Sequence, residues 1–325
     1  MEIISSDHPF RLNNAIAATI GFFDGVHTGH RFLLEQLKMQ ADKHQLPSMI
    51  ITFLQHPKSV LQPEFQPKLL TTFDERIERL SLSGIDYCLL LNFTPSLSQL
   101  SAKEFIQKKL KEEWLVKLLL IGYNHRFGKN RTEGFEDYVK YGKECGMEIL
   151  QTLKLPDISV SSTRIRNALL EKKVEEANRM LSYFYRLEGN VIEGNHLGRE
   201  IGFPTANLNV NDKNKIIPGE GIYASWVYWK QKKYGGMIYI GKRPTIATQG
   251  EKRIEVHLFD FSGDLYGETL RLEFVEFLRE SKQFGNVENL KKQLFADREA
   301  SLKALIGLNE KEAVLKEGNP ASSEG

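Results

Sequence analysis

Cysteine is nearly missing from this 325-residue chain: only Cys88 and Cys145 occur, and neither stands in a C-x-x-C or other metal spacing. That excludes a disulfide scaffold and a thiolate metal site, and predicts two reduced structural thiols in a cytoplasmic protein. An excess of charge of one sign is lacking too. Lys and Arg number 44 against 42 Asp and Glu, a net charge of +2, which gives no electrostatic ground for nucleic acid or an anionic membrane as main partner. No apolar run approaches the length of a membrane span, and Met1-Glu2-Ile3-Ile4 lacks the basic-then-apolar order of a secretory leader. Internal repeats and Gly/Ser linkers are absent. What is present is an ordinary globular composition, 41% hydrophobic and 26% charged, in a chain long enough for two domains. A small molecule is the default partner, and the oligomeric state is left open.

From residue 15 to about 153, short apolar runs alternate with amphipathic segments, the pattern of a parallel sheet covered by helices. Strands are predicted over Ala15–Phe22, Ser48–Phe53, Ile85–Asn92, Leu115–Gly122 and Met147–Leu153; helices over Gly29–Lys43, Asp74–Leu82, Ser101–Glu113 and Gly134–Cys145, then Ser161–Leu170 and Val174–Leu181. After Tyr183 the texture changes. Segments rich in Tyr, Val, Ile and Trp recur between Gly and Pro breaks (Arg186–Ile192, Gly221–Trp229, Gly236–Ile240, Arg253–Phe259, Thr269–Phe277), as in an antiparallel sheet or small barrel. Glu288–Leu305 reads as a closing helix, and Lys311–Gly325, poor in apolar residues, as a disordered tail. The domains expected are 1–182, 183–308 and a tail 309–325.

The most informative stretch is Gly21-Phe22-Phe23-Asp24-Gly25-Val26-His27-Thr28-Gly29-His30, directly after an apolar run. Gly21 and Gly25 allow a tight turn and close approach to a ligand. His27 and His30, three apart, would share one face of the first helical turn, where free backbone N–H groups and the helix dipole favour an anion. The spacing argues against zinc. Thr52-Phe53-Leu54-Gln55-His56-Pro57, Gly122–Lys129 and Ser161-Ser162-Thr163-Arg164-Ile165-Arg166 could converge on the same sheet edge, the last as a second anion-binding helix start. Gly122–Lys129 is no P-loop: five residues separate its glycines, and Asn130 stands where Ser or Thr should hold the metal. Without a P-loop lysine, the paired histidines suit attack on an α-phosphate with pyrophosphate leaving, a step catalysed by positioning and charge stabilisation.

In the second half, Gly194-Asn195-His196-Leu197-Gly198-Arg199-Glu200-Ile201-Gly202-Phe203-Pro204-Thr205-Ala206-Asn207 joins a glycine-rich loop to a Pro-fixed turn. Thr205 and Asn207 present neutral oxygens suited to Mg²⁺ or phosphate.

Taken in order, Gly21–His30, Thr52–Pro57, Gly122–Gly128 and Ser161–Arg166 resemble the adenylyltransferase module of bacterial bifunctional riboflavin kinase/FAD synthetases, within the H-x-G-H nucleotidyltransferases. The Pro-Thr-Ala-Asn loop, Pro218–Ala224, Ile240–Thr245, Glu255–Phe261 and Asp264–Gly267 resemble the riboflavin kinase half. The resemblance implies a Rossmann-like domain followed by a six-stranded barrel with a closing helix. It implies phosphorylation of riboflavin by ATP to FMN and ADP, then transfer of AMP from a second ATP to FMN, giving FAD and pyrophosphate, with Mg²⁺ in both steps. By position, His27 and His30 would hold the phosphates and transition state. Gly21, Phe23, Asp24, Gly25, Asn124, Ser162, Thr163, Arg164 and Arg166 would line the first nucleotide site. Gly198, Gly202, Pro204, Thr205 and Asn207 would line the second, with Thr205 and Asn207 on the metal and Glu255 as general base. Asn124 occupies a place where members also carry Asp. Members usually carry R-x-E-x-x-F near the flavin flap; here Arg279-Glu280-Ser281-Lys282-Gln283-Phe284 puts serine at the acidic position.

Two rivals stand beside this expectation. One keeps the nucleotidyltransferase fold with another acceptor, such as a cytidylyl or pantetheine-phosphate transfer; the Pro-Thr-Ala-Asn loop speaks against it. The other makes the barrel an oligonucleotide-binding module, which balanced charge disfavours.

Overall fold

A computed structural model describes residues 1–7, 14–62, 64–123, 125–153, 160–194, 198, 201–242 and 252–317. The chain folds into two compact units, Met1–Ser162 and Thr163–Gly325.

The first unit is built on a six-stranded parallel sheet. Its strands are β1 (Glu2–Ser5), β2 (Ile16–Ile20), β3 (Ser48–Phe53), β4 (Tyr87–Leu91), β5 (Val116–Ile121) and β6 (Glu148–Gln151), ordered β1-β4-β3-β2-β5-β6. Parallel strands must be covered on both faces, and the sequence supplies the apolar side chains for it. Every residue of β2 is buried. Ile16, Ala18 and Ile20 pack on one face with Phe105, Leu110, Trp114 and Tyr138. Ala17, Ile50 and Leu118 pack on the other with Leu34, Leu37 and Ala41 of α1 (Thr28–Lys43). The strand order reverses between β2 and β5, and a crevice outside the carboxyl ends of strands at such a point is where open α/β sheets bind ligands. The turn from β2 into α1 leaves the sheet there.

The remaining helices of this unit are α2 (Pro57–Leu61), α3 (Phe73–Ser81), α4 (Pro95–Ser98), α5 (Ala102–Glu104) and α6 (Phe135–Glu144). The predicted helix over Ser101–Glu113 begins as α5, capped by Ser101 and Glu104, and continues as a π-helix over Phe105–Glu113. Edge strand β1 is not among the predicted strands; its four residues are too few to show a period.

In the second unit, α7 (Ser162–Leu170) and α8 (Val174–Leu181) precede a closed antiparallel barrel. Its strands are β7 (Tyr185–Ile192), β8 (Ala206–Val210), β9 (Gly221–Trp229), β10 (Lys232–Lys242), β11 (Lys252–Leu258) and β12 (Thr269–Arg279), ordered β10-β11-β8-β7-β12-β9. The two helices group with the barrel, ahead of the texture change at Tyr183. Side-chain bonding shows why: buried Asn178 of α8 donates to Phe274 O of β12 and accepts from Tyr185 N of β7. Helix α9 (Val287–Glu317) lies over the barrel wall, with Leu305 in one cluster with Phe203, Met237 and Val275. It runs past the predicted start of the tail, because Lys311-Glu312-Ala313-Val314-Leu315-Lys316-Glu317 consists largely of strong helix formers; residues 318–325 lie outside the described ones.

Candidate active sites

The turn after β2 is held in conformations that ordinary residues resist. Phe23 has φ +57°, Gly25 +81° and Val26, β-branched, +36°. Such strain persists only where its surroundings enforce it. Asp24 does the enforcing. It is 3% exposed, and its carboxylate accepts from Leu70 N at 2.9 Å, Thr71 N at 3.2 Å and Thr71 Oγ1 at 3.3 Å. Gly25 N donates to Thr71 Oγ1, and Ser162 Oγ donates to Asp24 O at 2.9 Å. Of the residues the resemblance assigns to the nucleotide, Asp24 and Phe23 are both buried, 3% and 2% exposed. Gly21 N donates to Ile51 O, tying the turn to β3.

This anchoring delivers the two imidazoles. His27 is the N-cap of α1, and its Nδ1 accepts from His30 N at 3.3 Å. The rings stack, with centroids 3.7 Å apart and 13° between planes. An accepting Nδ1 places the His27 proton on Nε2 in the neutral tautomer. His30 Nδ1 is buried without a hydrogen-bond partner, and burial, then His27 and His125, hold its pKa well below the usual histidine value. His125, which sequence reasoning did not single out, is pushed down to about 4 by burial and by Arg131. Burial thus favours the neutral form of His30 and His125 beside the helix N-terminus.

A second unforeseen residue is Arg76 on α3, 3% exposed. It donates from Nη1 to Phe22 O at 3.1 Å and from Nη2 to Phe53 O at 2.6 Å, and lies 4.2 Å from the Phe22 ring centroid. It clamps the ends of β2 and β3 together. Burial pushes its pKa down to about 10 despite the nearby Asp24. Helical periodicity offers no signal for an arginine whose partners are backbone carbonyls. Thr163, Arg164 and Arg166 open α7 in the second unit, where Arg164 pairs with Glu176 at 2.8 Å and Arg166 Nη1 reaches Thr163 Oγ1 at 3.5 Å. Asn124 lies outside the described residues.

On the barrel, Arg253, Glu255 and His257 of β11 alternate with the interior-facing Ile254 and Val256, so they share the outer face. That face lines a cavity of about 290 Å³ with Thr205, Asn207, Met237, Tyr239, Phe284 and Leu294 among its walls. Glu255 pairs in register with Asn207 of β8. Thr205 Oγ1 donates to Glu255 Oε2 at 3.2 Å, and Arg253 Nε lies 2.6 Å from Glu255 Oε1 and 3.3 Å from Asn207 Oδ1. Glu255 is 17% exposed, so this strand carboxylate is not simply solvated. A second cavity, about 300 Å³, is formed by Pro204, Thr205, Ala206 and the β11–β12 loop from Phe261 to Tyr266. Thr205 lines both.

The predicted glycines divide by cause. Gly202 is needed for its φ of +82°, whereas a side chain at Gly198 would overlap Phe203 O and one at Gly194 would overlap the Asn207 carboxamide. Residues 195–197, 199–200 and 243–251, parts of the predicted loops, lie outside the described ones. At the flap, Ser281 lines the first cavity while Glu280 pairs with Lys172 at 2.6 Å. Arg279 instead forms a bidentate pair with buried Asp297 of α9, at 2.7 and 2.6 Å.

Comparison with known proteins agrees with this division. The FAD synthetase family matches residues 10–164 and the riboflavin kinase family residues 181–305. A bifunctional riboflavin kinase/FMN adenylyltransferase of Pseudomonas fluorescens is 35% identical over 300 residues, 91% of this chain and 96% of that one. The enzyme of the same name from Escherichia coli K12 is 35% identical over 293 residues, 89% of this chain and 92% of its own. A crystal structure from Streptococcus pneumoniae, described as a macrolide-efflux protein, superposes with a TM-score of 0.83 at 31% identity, covering 93% of this chain and 99% of that one. No helix among the described residues is long and apolar enough to cross a membrane. Both activities use ATP as substrate, and riboflavin, FMN and FAD are the flavins they handle. The chain, which converts riboflavin to FMN and FMN to FAD, belongs to the family of bifunctional riboflavin kinase/FMN adenylyltransferases.

Proposed function

We propose that the two reactions are divided between the stacked imidazoles of the first unit and the paired cavities of the barrel, with residues 1–182 and 183–308 as the functional modules. The observation that carries the kinase half is Thr205, a wall common to both barrel cavities. The larger apolar surface of the first cavity, with Met237, Phe284 and Leu294, suits the isoalloxazine ring; the second, closed by the β11–β12 loop, takes ATP. Glu255 then accepts the proton of the ribityl hydroxyl as its oxygen meets the γ-phosphorus near Thr205.

The donor set fits a hard cation: Thr205 Oγ1 and Asn207 Oδ1 are neutral oxygens, and the carboxamide seats against a glycine whose Cβ would displace it. Mg²⁺ held by Thr205 and Asn207 would neutralise charge on the nucleotide phosphates. In the first unit, His27 and His30 donate to the triphosphate from the start of α1 and stabilise charge as the FMN phosphate attacks the α-phosphorus. Gly21, Gly25, Asn124, Ser162, Thr163, Arg164 and Arg166 complete that nucleotide site, Arg166 and Arg164 through guanidinium forks suited to phosphate. Two free thiols support a cytoplasmic setting, and balanced charge supports small molecules rather than nucleic acid as partners.

Product analysis by mass after incubation with Mg-ATP tests the assignment. His30→Ala should stop FAD formation and spare FMN formation from riboflavin; Glu255→Gln should stop FMN formation while FAD still forms from supplied FMN. Loss of both activities in a folded His30→Ala protein would refute the two-site division.

A further inference from the structure

The oxygens assigned above to the kinase metal already have a cation beside them. Arg253 Nε lies 2.6 Å from Glu255 Oε1 and 3.3 Å from Asn207 Oδ1, while Thr205 donates to the other Glu255 oxygen. One guanidinium thus engages a carboxylate and a carboxamide across two paired strands, in a cavity wall where Arg253 is 26% and Glu255 17% exposed. The register fixes this: Asn207 stands opposite Glu255, and Arg253 is two residues earlier on the same face of β11.

We propose that Arg253 is a positioning residue whose guanidinium holds Asn207 Oδ1, and that a divalent ion arriving with the nucleotide competes with it for that oxygen. The proposal rests on the metal and base roles given to Thr205, Asn207 and Glu255. Its physical basis is simple. A carboxamide oxygen bonded to a guanidinium cannot enter a divalent ion's coordination sphere without releasing that bond, and two cations at neighbouring oxygens repel in a cavity only partly open to water. Until the ion arrives, the guanidinium answers the charge of Glu255 and keeps Asn207 Oδ1 at the position the ion needs. Arg253 therefore holds the site in shape and weakens its intrinsic metal affinity.

The test uses the full-length protein, ADP as a non-reacting nucleotide and Mn²⁺ as probe, with bound Mn²⁺ followed by electron paramagnetic resonance. Only barrel residues differ among the variants, so changes in affinity report the barrel site. Arg253→Met should bind Mn²⁺ on the order of fivefold more tightly. It should also form FMN with a lower half-saturating Mg²⁺ and a reduced kcat. Arg253→Lys, which keeps the charge, should stay within about twofold of the parent affinity. Unchanged or weaker Mn²⁺ binding by Arg253→Met, with circular dichroism and FAD formation from FMN like the parent's, would overturn the proposal. Asn207→Ala separates the two levels. If it weakens Mn²⁺ binding while Arg253→Met changes nothing, the ligand assignment stands and the role of Arg253 falls; if it leaves binding untouched, the ligand assignment itself is wrong.

Discussion

Asp24→Ala distinguishes an inward-facing anchor from a nucleotide contact. In the structure the carboxylate accepts from two buried backbone N–H groups, Leu70 N and Thr71 N, and from the Thr71 hydroxyl. Alanine leaves both amides without that acceptor where water has little access, and each orphaned donor costs about 1–3 kcal/mol, so the unit should lose roughly 3 kcal/mol. The turn carrying Phe23 and Val26 at positive φ would also lose its restraint, and His27 with it. Asp24→Asn keeps one acceptor oxygen and should cost about half as much. The assay is a urea titration followed by circular dichroism, run beside separate measurements of FMN formation from riboflavin and FAD formation from FMN. The expected result is a lowered midpoint for unfolding of the first unit, a reduced kcat for FAD formation and unimpaired FMN formation. A variant with the parent's urea midpoint and a raised KM for ATP in the FAD step would refute the anchor and return Asp24 to the nucleotide.

Neutral burial of His30 and His125 makes the first unit sensitive to acid. Both take up a proton in the unfolded chain below about pH 6.5, while the folded values lie lower, about 4 for His125. Stability is therefore intact above pH 6.5 and falls as pH drops from there toward 4, by at most about 1.4 kcal/mol per histidine per pH unit. His125→Phe should remove a large part of that slope in urea melts between pH 6.5 and 5, and an unchanged slope would count against it. Asp297→Asn breaks the buried bidentate pair with Arg279 that joins β12 to α9. It should cost about 3–5 kcal/mol and raise the KM for riboflavin; thermal melts and initial rates would show whether either happens.

The two activities were legible in the sequence through ordered motifs that resemble a known family, and local spacing put a pair of histidines at one strand-to-helix turn. Two histidines three apart at the start of a helix share one face, and in the structure their rings stack there. The parallel sheet followed from continuous apolar runs, and the barrel from β-branched and aromatic segments between Gly and Pro. Strand β8 escaped notice because it begins within the Pro-Thr-Ala-Asn motif and its five residues alternate too briefly to show a period.

What depended on tertiary structure was direction and partnership. Asp24 stands in the motif beside the histidines, yet the positive φ values around it aim its carboxylate at Leu70 and Thr71, residues remote in the chain. Arg76 reads as one more charged helix position until α3 packs it beneath Phe22 and Phe53. Helix α8 belongs with the barrel because Asn178 bonds into it, a link no texture change records. Arg253 meets Asn207 only through strand register, which closes 46 residues of separation into one shared hydrogen bond. Local spacing fixes which groups a turn or strand can present; only packing and pairing decide which of them face a ligand and which face the protein.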